Sequence, residues 1–414
     1  MNVLKKIKGL VCSKCGKMVD EAVMYNCPDC GTEGTLDVIY DMDLVKKELT
    51  KEYLLNNDDK NIWRYMPILP LETKEGVAPL QIGWTPLYEA SRLEKAFNIK
   101  KVFVKDEGRN PTASFKDRAT AVGVAKAIEL KKDIMCAAST GNAASSLSGF
   151  AACMGIKNYI FVPKNIPEAK LAQLLVFGSN VILVDGDYDT AFDFCLKAVD
   201  HFGWYNRSCA INPYLCEGKK TAAFEICEQL GFEVPDKVIM SVGDGCSISS
   251  VWKGFKEFYD LGLIDKVPTM VSVQANGSNP VNRTYRRNSR EFDYVPPSTI
   301  ADSISVGVPR NGYKALNALR DSKGITVDVS DDEILSAITE LARYTGVFGE
   351  PAGVTSFAGL KKLVEQGLIG EDETVVFVVS GSGLKDVKSA QKAVTRPELV
   401  KPDMEELIKY LKVN

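Results

Sequence analysis

Short apolar runs separated by amphipathic stretches recur from about residue 100 to residue 380. Strand-like Lys101 to Val104 precedes a helix that begins near Lys116. The runs Ile134–Ala138, Tyr159–Pro163 and Asn180–Val184 then alternate with helices predicted near 142–154, 167–177 and 188–201. Strand-length apolar runs alternating with helix-length segments predict βα units and a parallel sheet. A second set of strands is predicted near 237–242, 269–275, 324–329 and 374–380. The order of elements predicts an α/β protein with open parallel sheets, in which a small unit over about 105–205 is inserted in a larger one spanning 86–400. Upstream, 41–85 reads as a connecting segment, with Ile62-Trp63-Arg64-Tyr65 and a proline-bearing run from Pro67 to Pro86. The tail, 401–414, predicts an amphipathic docking helix over Asp403–Leu411.

The same pattern puts small polar junctions at the carboxyl ends of the strands, where open parallel sheets form their sites. Ser139-Thr140-Gly141-Asn142 follows one apolar run and opens a helix, so its hydroxyls and backbone N–H groups suit a carboxylate. Gly243-Asp244-Gly245-Cys246-Ser247 lies between strand-like Lys237–Val242 and a helix-like stretch from Ile248 to Tyr259. Backbone amides at such a helix start hold a phosphate without any basic side chain. The run Thr374–Val379 ends at Ser380, which presents a hydroxyl. Asn110 to Arg118 places Lys116 at a helix start behind a small-residue turn. A lysine there becomes a nucleophile when burial and nearby cations lower its pKa. Taken alone it reads more readily as an exposed partner of Asp117, an ordinary pair at a helix start; the company of the other junctions favours chemistry.

An amine, a carboxylate cradle, a phosphate cradle and a strand-end hydroxyl, in that order, resemble the fold-type II enzymes that use pyridoxal 5′-phosphate. Within them the chain is similar to the threonine synthase family. The matching segments are Asn110 to Arg118, Ser139 to Asn142, Ile211-Asn212-Pro213 with Glu217-Gly218, Gly243 to Ser247, Glu350-Pro351-Ala352, and Ser380 to Asp386. The resemblance implies a two-domain, tryptophan-synthase-β-like fold, a homodimer, and conversion of O-phosphohomoserine to threonine and phosphate by γ-elimination and addition of water at Cβ. It implies that Lys116 holds the cofactor as an imine and moves protons, that Phe115 packs near the cofactor ring, and that Asn142 bonds its phenolic oxygen. Ser139, Thr140 and Gly141 would receive the substrate carboxylate. Gly243, Asp244, Gly245, Cys246 and Ser247 would line the cofactor phosphate, and Ser380 would face the pyridine nitrogen. Glu350, ahead of a helix, fits either a role in the site or the helix dipole alone. Asp117 and Arg118 are expected to position their helix.

Several positions depart from that family. Ala143, Cys209, Ala210 and Leu215 stand where polar ligands of the substrate phosphate are expected, and Asp244 stands where asparagine is. They point to an alternative, a divergent paralogue doing β-elimination or β-replacement on an unphosphorylated amino acid. Lys219, Lys220 and Arg207 are candidates for compensation.

Composition narrows the picture. The 414 residues are 45% hydrophobic, ample for sizeable cores. With 51 basic and 54 acidic residues, a net charge of −3 provides no field for nucleic acid. Apolar runs stop at strand length and the N-terminus shows no signal-peptide core, which predicts a cytoplasmic protein without a membrane partner. The single histidine, His201, excludes histidine-rich metal centres and is expected to be structural, at a helix end. Among 11 cysteines, Cys12 and Cys15, and Cys27 and Cys30, have the spacing of two zinc knuckles. Four thiolates predict a structural Zn²⁺ in a ribbon over residues 1–40, a feature some threonine synthases share; unrelated thiols or two disulfides are the alternative. The remaining cysteines are read chiefly as core fillers. A non-catalytic binder using the ribbon is a further reading, against which Lys116 argues.

Overall fold

Lys237–Ser241 is buried along its whole length, as a strand can be only when both faces of its sheet are covered. In the computed structural model, which describes residues 5–21, 25–294 and 296–413, this strand lies inside the larger of two parallel sheets. The strands in chain order are β1 (Ile7–Cys12), β2 (Met18–Val19), β3 (Leu36–Tyr40), β4 (Leu87–Glu89), β5 (Lys101–Asp106), β6 (Ile134–Ala138) and β7 (Lys157–Pro163). They continue as β8 (Asn180–Val184), β9 (Tyr205–Asn206), β10 (Lys237–Ser241), β11 (Thr269–Ala275), β12 (Ile325–Val329) and β13 (Thr374–Val379). The larger sheet has the order β12-β11-β10-β13-β5-β4, with only β4 antiparallel to its neighbour. The smaller sheet, β8-β7-β6-β9, is wholly parallel. Although β5 precedes the smaller sheet in sequence, it pairs with β13, with Phe103 opposite Val376. That pairing puts the two halves of the larger sheet on either side of the chain excursion that forms the smaller one.

The helices that carry the site pack on one another. Helix Lys116–Glu129 crosses helix Tyr214–Gln229 at Gly218, where a Cβ would meet the Arg118 carbonyl oxygen at 1.9 Å. Only glycine fits so close an approach. Beside it, Arg118 donates to Glu107 through Nε at 2.8 Å and to Glu225 through Nη2 at 2.7 Å, while Lys105 pairs with Glu225 at 2.8 Å; all four side chains are fully buried. The surrounding cations draw the Glu225 carboxyl down to about 2 against the cost of burial. The network ties β5 to both helices, so Arg118 fixes where Lys116 stands.

The segment between ribbon and sheet is part of the core. Ile62, Tyr65 and Ile68 are fully buried, and Arg64 pairs with Glu228 at 2.8 Å while donating to the Leu54 carbonyl at 2.6 Å. The ribbon, with strand order β2-β1-β3, docks through β3: Tyr40 Oη donates to Glu217 at 2.8 Å, and Lys314 pairs with Asp37 at 2.7 Å. The C-terminal helix, Met404–Val413, leaves Met404 and Leu411 exposed. No helix among the described residues is long and apolar enough to cross a membrane.

Candidate active site

The carboxyl ends of β6, β10 and β13 open on one cleft of about 820 Å³ between the two sheets. The residues expected to hold the cofactor and the substrate carboxylate all line it: Phe115 and Lys116; Ser139, Thr140, Gly141 and Asn142; Gly243, Asp244, Gly245, Cys246 and Ser247; and Ser380. Four segments far apart in sequence are thus brought together. Direct bonds lock two of them, since the Phe115 amide donates to the Ser380 carbonyl at 2.8 Å and Ser114 bridges Gly381.

Lys116 begins its helix and its side chain is half-buried. The Lys219 ammonium, and then burial, hold its amine below the ordinary lysine range. The turn before it is pinned by Asp117, whose carboxylate accepts from the Thr112 amide at 2.6 Å and the Thr112 hydroxyl at 2.5 Å. At the end of β6, the Ser139 hydroxyl accepts from the Gly141 amide at 3.2 Å, shaping the turn into helix Asn142–Met154. A Cβ at Gly141 would find no heavy atom nearer than 4.0 Å, so this turn faces open space. Asn142 Nδ2 donates to Glu350 Oε1 at 2.6 Å. Burial pushes the Glu350 carboxyl up to about 7. Of the two sequence readings of Glu350, this geometry favours a place in the site.

After β10, Gly245 turns the chain at φ +88° into helix Cys246–Asp260. A Cβ there would lie 2.8 Å from the Asn311 carbonyl oxygen, so both φ and space require glycine. The leading amides of that helix have no acceptors within it and suit a phosphate. Asp244 lies in the cleft lining, and its Oδ1 accepts from the Arg310 amide at 3.3 Å. The turn, the open space at Gly141 and the amine of Lys116 together fit a phosphorylated aldehyde cofactor.

Of the departures noted in the sequence, Ala143, Cys209 and Ala210 do line the cleft. Leu215 does not: it is fully buried and packs over Gly123 between two helices, which corrects its reading as a lost ligand of the substrate phosphate. Most of the scattered cysteines are buried, as core fillers are, although two of them reach the site. Cys136 and Cys195 are buried 3.8 Å apart in the small unit, but Cys209 and Cys246 line the cleft, and Cys216 Sγ lies 3.5 Å from Cys246 Sγ. Tyr188, Ser303 and Arg310 also line it and were not anticipated, because they come from a helix and a loop that carry no recognisable motif. His201 sits at the exposed end of helix Tyr188–Phe202, edge-on to Phe202.

Away from the cleft, Sγ atoms of Cys12, Cys15, Cys27 and Cys30 all lie within 4.8 Å of one another. That spacing is compatible with a tetrahedral zinc site.

Residues 78–381 match the family described as pyridoxal-phosphate dependent enzymes. The chain is 42% identical over 404 residues to a threonine synthase of Methanocaldococcus jannaschii, covering 97% of this chain and 98% of that one. It is 40% identical to a threonine synthase of Methanosarcina acetivorans, covering 94% and 95%. Among solved structures it is similar to the processed form of threonine deaminase isoform 2 from Solanum lycopersicum, with TM-score 0.63 and 21% identity over 80% of this chain and 82% of that one. That likeness establishes the fold-type II architecture. The chain belongs to the pyridoxal-phosphate-dependent enzymes and, within them, to the threonine synthase family.

Proposed function

We propose that this protein is a pyridoxal-phosphate-dependent carbon–oxygen lyase that converts O-phosphohomoserine to threonine and phosphate. The observation that carries the reading is the convergence of Lys116, the 139–142 turn, the 243–247 turn and Ser380 on one cleft, in a chain aligned over nearly its whole length with threonine synthases. When bound, the cofactor supplies an electron sink for carbanions formed on the substrate. Lys116 anchors it and, with an amine below the usual lysine range, takes and returns protons at Cα and Cβ. Ser139, Thr140 and Gly141 orient the substrate carboxylate, and Phe115 packs against the cofactor ring. Asn142, held by Glu350, bonds the cofactor's phenolic oxygen. Gly243, Asp244, Gly245, Cys246 and Ser247 surround its phosphate. Ser380 faces the pyridine nitrogen; a hydroxyl there does not force that nitrogen to stay protonated, which suits elimination and replacement.

Around this catalytic region of residues 86–400, the ribbon of residues 1–40 would hold a structural Zn²⁺ on Cys12, Cys15, Cys27 and Cys30, in keeping with their mutual spacing. Segment 41–85 joins the two and 401–414 forms the terminal helix. A cytoplasmic homodimer is the setting the family resemblance implies.

A second reading is favoured by Ala143, Cys209 and Ala210, which leave part of the cleft wall without hydrogen-bonding hydroxyls or amides. On that reading the enzyme eliminates or replaces a β-substituent of an unphosphorylated amino acid. Phosphate release from O-phosphohomoserine, compared with turnover of serine, threonine and diamino acids, decides between them. A rate on O-phosphohomoserine no better than on serine or threonine sinks the first.

A further inference from the structure

The cations of the cleft wall are Lys116, Arg207, Lys219 and Arg310. Arg207 is committed to the protein, donating to Thr120 Oγ1 through Nη2 at 2.8 Å and Nε at 3.1 Å and to the Lys116 carbonyl at 3.2 Å. Arg310 lies at the cleft wall with its guanidinium over the Phe192 ring, 4.0 Å from the centroid. Lys220 points away and pairs with Glu217 at 2.6 Å and Glu257 at 2.7 Å. Lys219 is different. It is fully buried yet reaches the cleft wall, its Nζ 3.1 Å from Sγ of Cys246, the first residue of the helix behind the 243–247 turn.

Its partners are thiols. Cys209 and Cys216 are the other thiols near it, Lys116 is a neighbouring amine and the Phe115 ring lies 6.0 Å from its ammonium, and no carboxylate pairs with it among the described residues. The hydrogen bond to Cys246, followed by burial, pushes the Cys209 thiol up to about 12, whereas the hydrogen bond with Cys246 draws the Cys216 thiol down to about 7. A buried ammonium that faces a cleft and has thiols rather than a carboxylate beside it is stabilised further by an anion brought next to it. The adjacent helix start favours the same anion.

The geometry points to Lys219 as the anion ligand of this cleft, its ammonium receiving a phosphate monoester dianion beside Cys246. The inference rests on the functional reading above only in taking the ligands to be phosphate esters. Two sources share that chemistry: the cofactor's phosphate and the phosphate that leaves the substrate.

The test uses the full-length, zinc-containing protein and its Lys219→Met, Lys219→Gln and Lys219→Arg variants, with circular dichroism confirming that each is folded. Cofactor-free protein is titrated with pyridoxal 5′-phosphate and with pyridoxal, which lacks the phosphate; loaded protein is assayed for inhibition by inorganic phosphate and for KM on O-phosphohomoserine. A charge-assisted hydrogen bond to phosphate corresponds to a loss of about tenfold or more. If the cofactor is the source, Lys219→Met and Lys219→Gln weaken pyridoxal 5′-phosphate by that factor while pyridoxal is unaffected. If the substrate is the source, cofactor affinity holds, KM rises by that factor and inhibition by phosphate disappears. Lys219→Arg preserves binding in either case. Equal loss of pyridoxal and its phosphate, or no change with any phosphate probe, overturns the assignment. Selective loss of pyridoxal 5′-phosphate in a protein that fails to turn over O-phosphohomoserine keeps Lys219 as the ligand and removes the proposed function instead.

Discussion

Asn142 and Glu350, 208 residues apart, meet across the cleft with Nδ2 donating to Oε1 at 2.6 Å. One belongs to the helix after β6 in the smaller sheet, and the other precedes helix Pro351–Glu365 against the larger sheet. The bond joins the two walls of the site through a carboxyl that burial pushes up to about 7.

A pH dependence of stability follows for the cofactor-free protein. Because the folded-state value lies above the ordinary 4.5, the folded protein holds this proton more tightly than the unfolded chain. The resulting advantage is complete below pH 4.5 and is lost as pH rises through about 7. It amounts to about 3 kcal/mol. Glu350→Gln removes this titration, so the variant should gain on the parent by that order between pH 5 and pH 8, read by urea unfolding at each pH. Parallel stability profiles for the two proteins would contradict the assignment.

Lys116→Ala should abolish both the visible absorbance of the lysine-bound cofactor and all turnover, while leaving thermal stability of the cofactor-free protein within about 1 kcal/mol. Its side chain is half-buried and lines the cleft, so truncation opens no sealed cavity. Retained activity would remove Lys116 from the mechanism and revive a binding-only reading.

Arg118→Met should be far more damaging to the fold. It strips Glu107 and Glu225 of the guanidinium that holds both at 0% exposure. Breaking one side of a buried ion network costs about 3–5 kcal/mol. Denaturant unfolding should show a loss of that size, and a loss below about 1 kcal/mol would mean that water or Lys105 replaces the arginine.

Removing Cys12, Cys15, Cys27 and Cys30 together as serines should yield protein without zinc by elemental analysis and with a lower Tm. The ribbon's β3 supports the catalytic body through the Lys314–Asp37 pair at 2.7 Å and a hydrogen bond from Lys253 to the Val38 carbonyl at 2.7 Å. Structural zinc contributes folding free energy directly. Zinc that stays bound to the quadruple variant would sink the site.

Much of this protein was determined locally. Apolar runs with strand length and the small-residue turns after them specify β6, β10 and β13 and the helix starts at Lys116, Asn142 and Cys246, because backbone geometry and capping act over a few residues. Four cysteines in two short pairs likewise announce their own cluster. Which surfaces then face each other was decided by tertiary structure. β5 precedes the smaller sheet in the chain yet pairs with β13, since a strand's partner depends on long-range packing and not on its own pattern. Lys219 and Lys220 are neighbours of one residue type, but successive helical side chains diverge by about 100°. The close crossing at Gly218 sets the roll of that helix, sending Lys219 to the cleft and Lys220 to Glu217 and Glu257, and leaving Leu215 in the core. A one-dimensional pattern records that a residue is charged or apolar; only packing in three dimensions decides what it meets.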